Sequence, residues 1–150
     1  MKKLLTIIAT LSLLTLMGVG TARAQVVDAV QANIPFAFTV GTITLPAGQY
    51  TVKPFGSMPE NLMAISDQEG KIQQVFMIED TQANKPPHQA ELIFHRVGGQ
   101  YFLYKVFDPE NRIGAELPEP RAERRLEKEA AVTGGSSYVT VVALNPASER

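Results

Sequence analysis

Apolar and polar residues alternate along most of the chain in steps of two, the period of a strand with one face buried. In residues 34–40, Ile34, Phe36, Phe38 and Val40 fall on one side, and Pro35, Ala37 and Thr39 on the other. The apolar side is expected to point inward. Pro35 has no N–H for a ladder and marks a strand start, a sheet edge or a bulge. Pro46 and Gly48 stand as the second and fourth residues of a turn beginning at Leu45, after which residues 49–54 return as a strand with Tyr50 and Val52 on one face. Asp67 and Gly70 suit the first and fourth positions of another turn, so residues 62–66 and 72–78 read as a hairpin. Gly98 and Gly99 accept the positive φ of a two-residue turn and join strands at residues 90–97 and 100–107.

The strand pattern lapses twice. Residues 79–89 are polar and carry Pro86 and Pro87, which predicts the longest loop, crossing between sheet segments. Residues 119–132 are rich in helix formers, open after Pro118 and stop at Gly134 and Gly135. There Ala122, Leu126 and Ala130 lie four apart, a thin apolar stripe that predicts a surface helix resting lightly on the body. Acidic and basic side chains balance within residues 119–129 and read as a solvated helix face. A last strand follows at residues 137–144. These elements predict an all-β domain over residues 25–150. It is expected to be a single compact barrel or sandwich of about eight short antiparallel strands, with one surface α-helix near the C-terminus.

The first 24 residues fit neither pattern. Lys2 and Lys3 precede an uncharged run through residue 22, and Ala22-Arg23-Ala24 places small residues at a cleavage site before Gln25. Ala22, Ala24 and Gln25 are therefore expected to define signal-peptide cleavage, and the protein to be periplasmic or extracellular. Residues 4–22 approach the minimum length of a membrane-spanning helix. Their threonines and serines, Gly18, Gly20 and the Ala-x-Ala end favour cleavage over an anchor, so no membrane span is expected in the mature chain.

Loss of Lys2, Lys3 and Arg23 takes the 14 basic residues to 11 against 15 acidic ones, 11 − 15 = −4. Those charges are scattered, which argues against a nucleic-acid partner. The chain has no cysteine, excluding disulfides, thiolate metal sites, thiol nucleophiles and a lipid-modified N-terminal cysteine.

Candidate chemistry is sparse. On a strand over residues 90–97, Glu91, Ile93 and His95 share a face, and His88 precedes it. A metal centre needs three or four converging ligands, and the spacing of His88, Glu91 and His95 does not establish one. No metal, cofactor or catalytic residue is expected. Gly135-Ser136-Ser137 lacks the Gly-x-Ser-x-Gly elbow. Phe36, Phe38, Tyr50, Phe94, Tyr101, Phe102, Tyr104 and Phe107 fall in predicted strands and either fill the core or line a ligand cavity.

Residues 33–53 (NIPFAFTVGTITLPAGQYTVK), 92–107 (LIFHRVGGQYFLYKVF) and 116–129 (ELPEPRAERRLEKE) together resemble a group of small exported proteins of Acidobacteria-like genomes. The resemblance covers most of the mature chain. It implies export and a β-rich fold, and carries no functional residue onto this sequence.

The leading expectation is a non-catalytic exported β-domain acting as an envelope or interaction protein, through the sheet edge near Pro35 or the loop at residues 79–89. Its partner is expected to be a cell-envelope or secreted protein. The alternatives are a barrel-type carrier of a small apolar ligand, and a hydrolase or metal-dependent enzyme. The enzyme alternative requires His95 and Glu91 to meet one of Asp67, Asp80 or Asp108.

Overall fold

The chain changes sheets at Pro35. A computed structural model describes residues 29–56, 61–131 and 135–143, so the cleavage residues Ala22, Ala24 and Gln25 lie outside the described residues. Strand β1 (Val30–Ile34) pairs antiparallel with β4 (Gly48–Pro54). After the break at Pro35, β2 (Phe38–Val40) pairs antiparallel with β3 (Ile43–Leu45). It also makes one parallel pair, Thr39 with Phe102, to β9 (Gln100–Phe107). With no N–H to donate, Pro35 suits a place where the chain leaves one ladder and joins another.

The first sheet runs β1-β4-β5-β6, with β5 (Leu62–Asp67) and β6 (Ile72–Met77). The second adds β7 (Glu79–Gln82), β8 (Glu91–Val97), β10 (Ile113–Glu116) and β11 (Ser136–Val142) in the order β11-β8-β9-β10-β7, with β2 and β3 attached at β9. The fold is mostly β and sandwich-like, and among the described residues it has one helix, α1 (Arg121–Ala130), near the C-terminus. Among the described residues the sheets do not close into a barrel, so of the two expected architectures, barrel or sandwich, the sandwich-like one is found. Among the described residues, no helix is long and apolar enough to cross a membrane.

Among the described residues, eleven strands replace the expected eight or so. The stretch 34–40 splits at Pro35, and Gly41, at φ +59°, turns a short hairpin between β2 and β3. The expected long loop begins instead as β7, which pairs with β10 from Glu79 opposite Glu116 to Gln82 opposite Ile113. Neither strand shows the apolar alternation that marks its neighbours; their backbone ladder makes them strands.

Other local expectations hold. Asp67 tightens its hairpin by accepting hydrogen bonds at Oδ1 from the N–H groups of Glu69 (3.1 Å) and Lys71 (2.9 Å). Gly98 and Gly99 both take positive φ and leave Val97 facing Gln100. Ile34, Phe38, Val40, Tyr50 and Val52 are buried as their alternation predicts. They join Met63, Ile65, Leu92, Leu103 and Val106 in one core drawn from both sheets. The aromatics considered as cavity lining contact one another: Phe94 meets Phe36 edge-on at 5.2 Å, and Phe38 at 5.3 Å.

Candidate functional site

Phe94 and Leu92 of β8 belong to the core, so the pleat sends His95 to the opposite face of the second sheet, where α1 packs against β8. Across that face, Tyr138 of β11, His95 and Phe102 of β9 stand side by side in register. The imidazole stacks on the Tyr138 ring at 4.7 Å between centroids.

A bulge in β9 extends this polar strip. Ile93 pairs with Lys105 and Phe94 with Leu103, so Tyr104 is an extra residue on its strand. Bulges re-aim side chains, and here consecutive residues both serve the helix-side face. The Tyr104 ring lies 5.4 Å from that of Tyr138, and Lys105 Nζ is 4.7 Å from the Tyr104 centroid. The Lys105 ammonium donates to Glu116 at 3.0 Å and to Thr81 Oγ1 at 3.1 Å, while Thr81 Oγ1 donates to Glu116 at 2.8 Å.

Partial burial alone raises the Glu116 pKa, but donation from Lys105 and Thr81 outweighs it and holds the carboxyl below its ordinary value. A carboxyl depressed in this way stabilises the fold above its unfolded pKa, and that contribution is lost as pH falls through the folded value. Glu116→Gln is therefore expected to flatten the acid limb of a thermal-stability profile below about pH 4.5. An unchanged acid limb would show that the Glu116 network contributes nothing to it.

Helix α1 supplies the other wall. Its sheet-facing side is not the predicted stripe: Ala122 is exposed, whereas Glu123 is buried and Leu126, Glu127 and Ala130 are half-buried. Pro120 precedes the first turn without a side-chain cap. The acids at 123 and 127, one helical turn apart, turn towards the sheet, while exposed Glu119, just before the helix, is held by Arg124 at 3.3 Å, so the balanced charge run is not simply a solvated face. His95 Nδ1 and Glu123 Oε1 share a hydrogen bond of 2.5 Å with side chains only 7% and 5% exposed. Glu127 Oε1 stands 3.6 Å from the same nitrogen. Burial raises the Glu123 pKa, as do the charges of Glu119 and Glu127, and the hydrogen bond from His95 opposes the rise.

Between these walls lies a pocket of about 380 Å³, lined by Glu79, His95, Tyr104, Glu116, Leu117, Pro118, Glu119, Glu123, Glu127 and Tyr138. Five of these residues are glutamates and none is lysine or arginine. Glu79 and Glu116 stand directly opposite each other in the β7–β10 ladder, a like-charge pair that favours a cation nearby.

The residues weighed as metal ligands from spacing, His88, Glu91 and His95, do not come together. Exposed His88 faces Glu110 at 3.5 Å, and Glu91 pairs with Phe107 and Val142 at the far end of β8 from Val97. Asp67 serves the hairpin of the first sheet, and Asp80 lies on β7 opposite Ala115. Among the described residues, the converging group of three or more His, Asp or Glu side chains is His95, Glu123 and Glu127, with ligand atoms all within 4.8 Å of one another. His95 was visible in the strand pattern. Its partners arrive from a helix 28 residues further along, and the only advance signal was the fourfold spacing of the acids. Comparison of the chain with family models, curated proteins and solved structures returns no match.

Proposed function

We propose that this protein is a non-catalytic binding domain that works outside the cytoplasm as an envelope or interaction protein. Its acidic pocket takes a cationic group, guanidinium or ammonium, presented by its partner. The leader pattern and the resemblance to small exported proteins support the location. The observation that carries the binding mode is the lining: five glutamates, two tyrosine rings and no lysine or arginine around about 380 Å³. Lys105 already illustrates the recognition, with its ammonium held by Glu116 and placed over the Tyr104 ring. An incoming cation meets the same chemistry at Glu79 and the exposed Tyr138, beside Glu119, which Arg124 already holds at 3.3 Å. This pocket replaces the Pro35 edge and the loop at 79–89 as the preferred contact site.

Calorimetric titration with argininamide tests the proposal, with the neutral citrullinamide as control. Argininamide is expected to bind and citrullinamide not to. Glu79→Gln, which removes one wall charge, is expected to weaken binding about fivefold at low salt, the effect of ~1 kcal/mol for a solvated charge pair. Equal binding of the charged and neutral compounds would refute it.

A further inference from the structure

The inner end of the pocket has a different character from its rim. Three potential ligand atoms meet there, from two regular elements: His95 Nδ1 from β8, and carboxylate oxygens of Glu123 and Glu127 from successive turns of α1. His95 and Glu123 are both more than nine-tenths buried. A buried His–Glu pair needs one carboxylate. Here a second, that of Glu127, stands 3.6 Å from the same nitrogen. Like charges four apart on a helix repel, so this crowding is unfavourable until a cation sits among them.

We propose that His95, Glu123 and Glu127 form a centre for a divalent first-row transition ion, zinc being the best suited, which fastens α1 to the second sheet. An imidazole nitrogen with two carboxylates is a ligand set for such ions rather than for calcium or magnesium, which prefer all-oxygen shells. Three protein ligands leave a fourth position for water, and the pocket provides room for it. Tetrahedral zinc with bonds of about 2.0–2.2 Å separates its ligand atoms by about 3.3 Å. Glu127 already stands near that separation, and the His95–Glu123 contact opens by less than about 1 Å to reach it. The metal takes the lone pairs of Nδ1 and the two carboxylates. The proton held between His95 and Glu123 is displaced to solvent or to Nε2, so that a neutral imidazole carrying its proton on Nε2 binds the metal through Nδ1. This centre does not rest on recognition of a partner's cationic group: with zinc held by Glu123 and Glu127, and Glu116 and Glu119 paired with Lys105 and Arg124, Glu79 still leaves the pocket mouth negative.

The test is a calorimetric titration of the untagged protein with zinc chloride, alongside apo-protein melting curves. Wild-type protein is expected to bind one equivalent, to keep binding it in excess magnesium and calcium, and to melt at a higher temperature when loaded. His95→Ala removes a buried partner and endangers the fold, so the decisive variant is Glu127→Gln. Its side chain is 42% exposed, and it leaves the His95–Glu123 hydrogen bond in place. Glu127→Gln, which relieves the like-charge crowding, is expected to keep or raise the apo melting temperature and to bind zinc at least about tenfold more weakly. His88→Ala is expected to bind zinc like wild type. No zinc binding, equal affinity in Glu127→Gln, or loss of binding in His88→Ala would each overturn the centre. Argininamide titration in the presence of EDTA reads the partner-binding proposal separately, so either can fail while the other stands.

Discussion

Phe94→Ala is expected to lower the free energy of unfolding by about 3–5 kcal/mol, the range for deleting a buried ring. Phe94 is fully buried, and its ring meets Phe36 and Phe38 edge-on, while Phe38 meets Tyr50 of the first sheet at 5.3 Å. Those rings fill the space where the chain crosses between sheets after Pro35, so truncation leaves a cavity that three rigid neighbours cannot easily close. Against a typical total stability of about 5–15 kcal/mol, this is a large share. A urea titration should show a lower midpoint at unchanged slope. A loss below about 1 kcal/mol would mean that the ring is not a packed element of the core. Phe94 also precedes His95, so a loosened β8 would carry the candidate site with it.

The second large effect is expected from a single methyl group. A Cβ built on Gly114 of β10 falls 2.3 Å from Phe107 Cδ1, 2.5 Å from its Cε1 and 2.6 Å from the Val106 carbonyl oxygen. The phenyl ring is 4% exposed and has little room to retreat. The carbonyl belongs to β9, which is paired with β10 through Val106 and Ala115. Either the ring leaves its position or the ladder shifts, so Gly114→Ala is expected to cost about 2–3 kcal/mol, the upper part of the range for overpacking. Adding Phe107→Leu should recover part of the loss, as expected for residues in contact. Loss of similar size with no recovery in the double variant would place the strain in the backbone rather than the ring. The position matters beyond stability, because Glu116 and its contacts to Lys105 and Thr81 lie two residues further along β10.

Local chemistry made much of this fold legible in the sequence. Asp67 and Gly70, or Gly98 and Gly99, specify their turns by backbone preferences that any context respects. The alternation of Tyr50 with Val52, and of Ile34, Phe38 and Val40, follows from one buried face. What escaped depended on partners distant in the chain. Residues Glu79 to Gln82 carry no apolar signal, and they are a strand because β10 offers them a ladder. Pro35 announced an interruption but not that the two halves would join different sheets.

The candidate site divides the same way. The position of His95 on a strand was readable. That its companions would be Glu123 and Glu127, rather than Glu91 and His88, depends on α1 folding back over β8. The helix itself was legible, and Leu126 and Ala130 of its apolar stripe are half-buried, but the rule that apolar residues face inward missed exposed Ala122 and buried Glu123. Ala122 is a weak anchor, and the acids one turn apart turn towards the sheet with Leu126 between them. A buried glutamate is costly unless partnered, so its place against His95 marks this face as more than packing.

The central claim is that the acidic pocket between α1 and the second sheet is where this protein binds, and that a cation is what it binds. The most direct test is the argininamide titration followed residue by residue through amide resonances of isotope-labelled protein. Shifts are expected to concentrate at Glu79, Tyr104, Glu116, Glu119, Glu127 and Tyr138, with the Asp67–Gly70 turn and the Gly98–Gly99 hairpin unmoved. Shifts centred elsewhere, at the Pro35 crossing or along residues 83–89, or none at all, would contradict it.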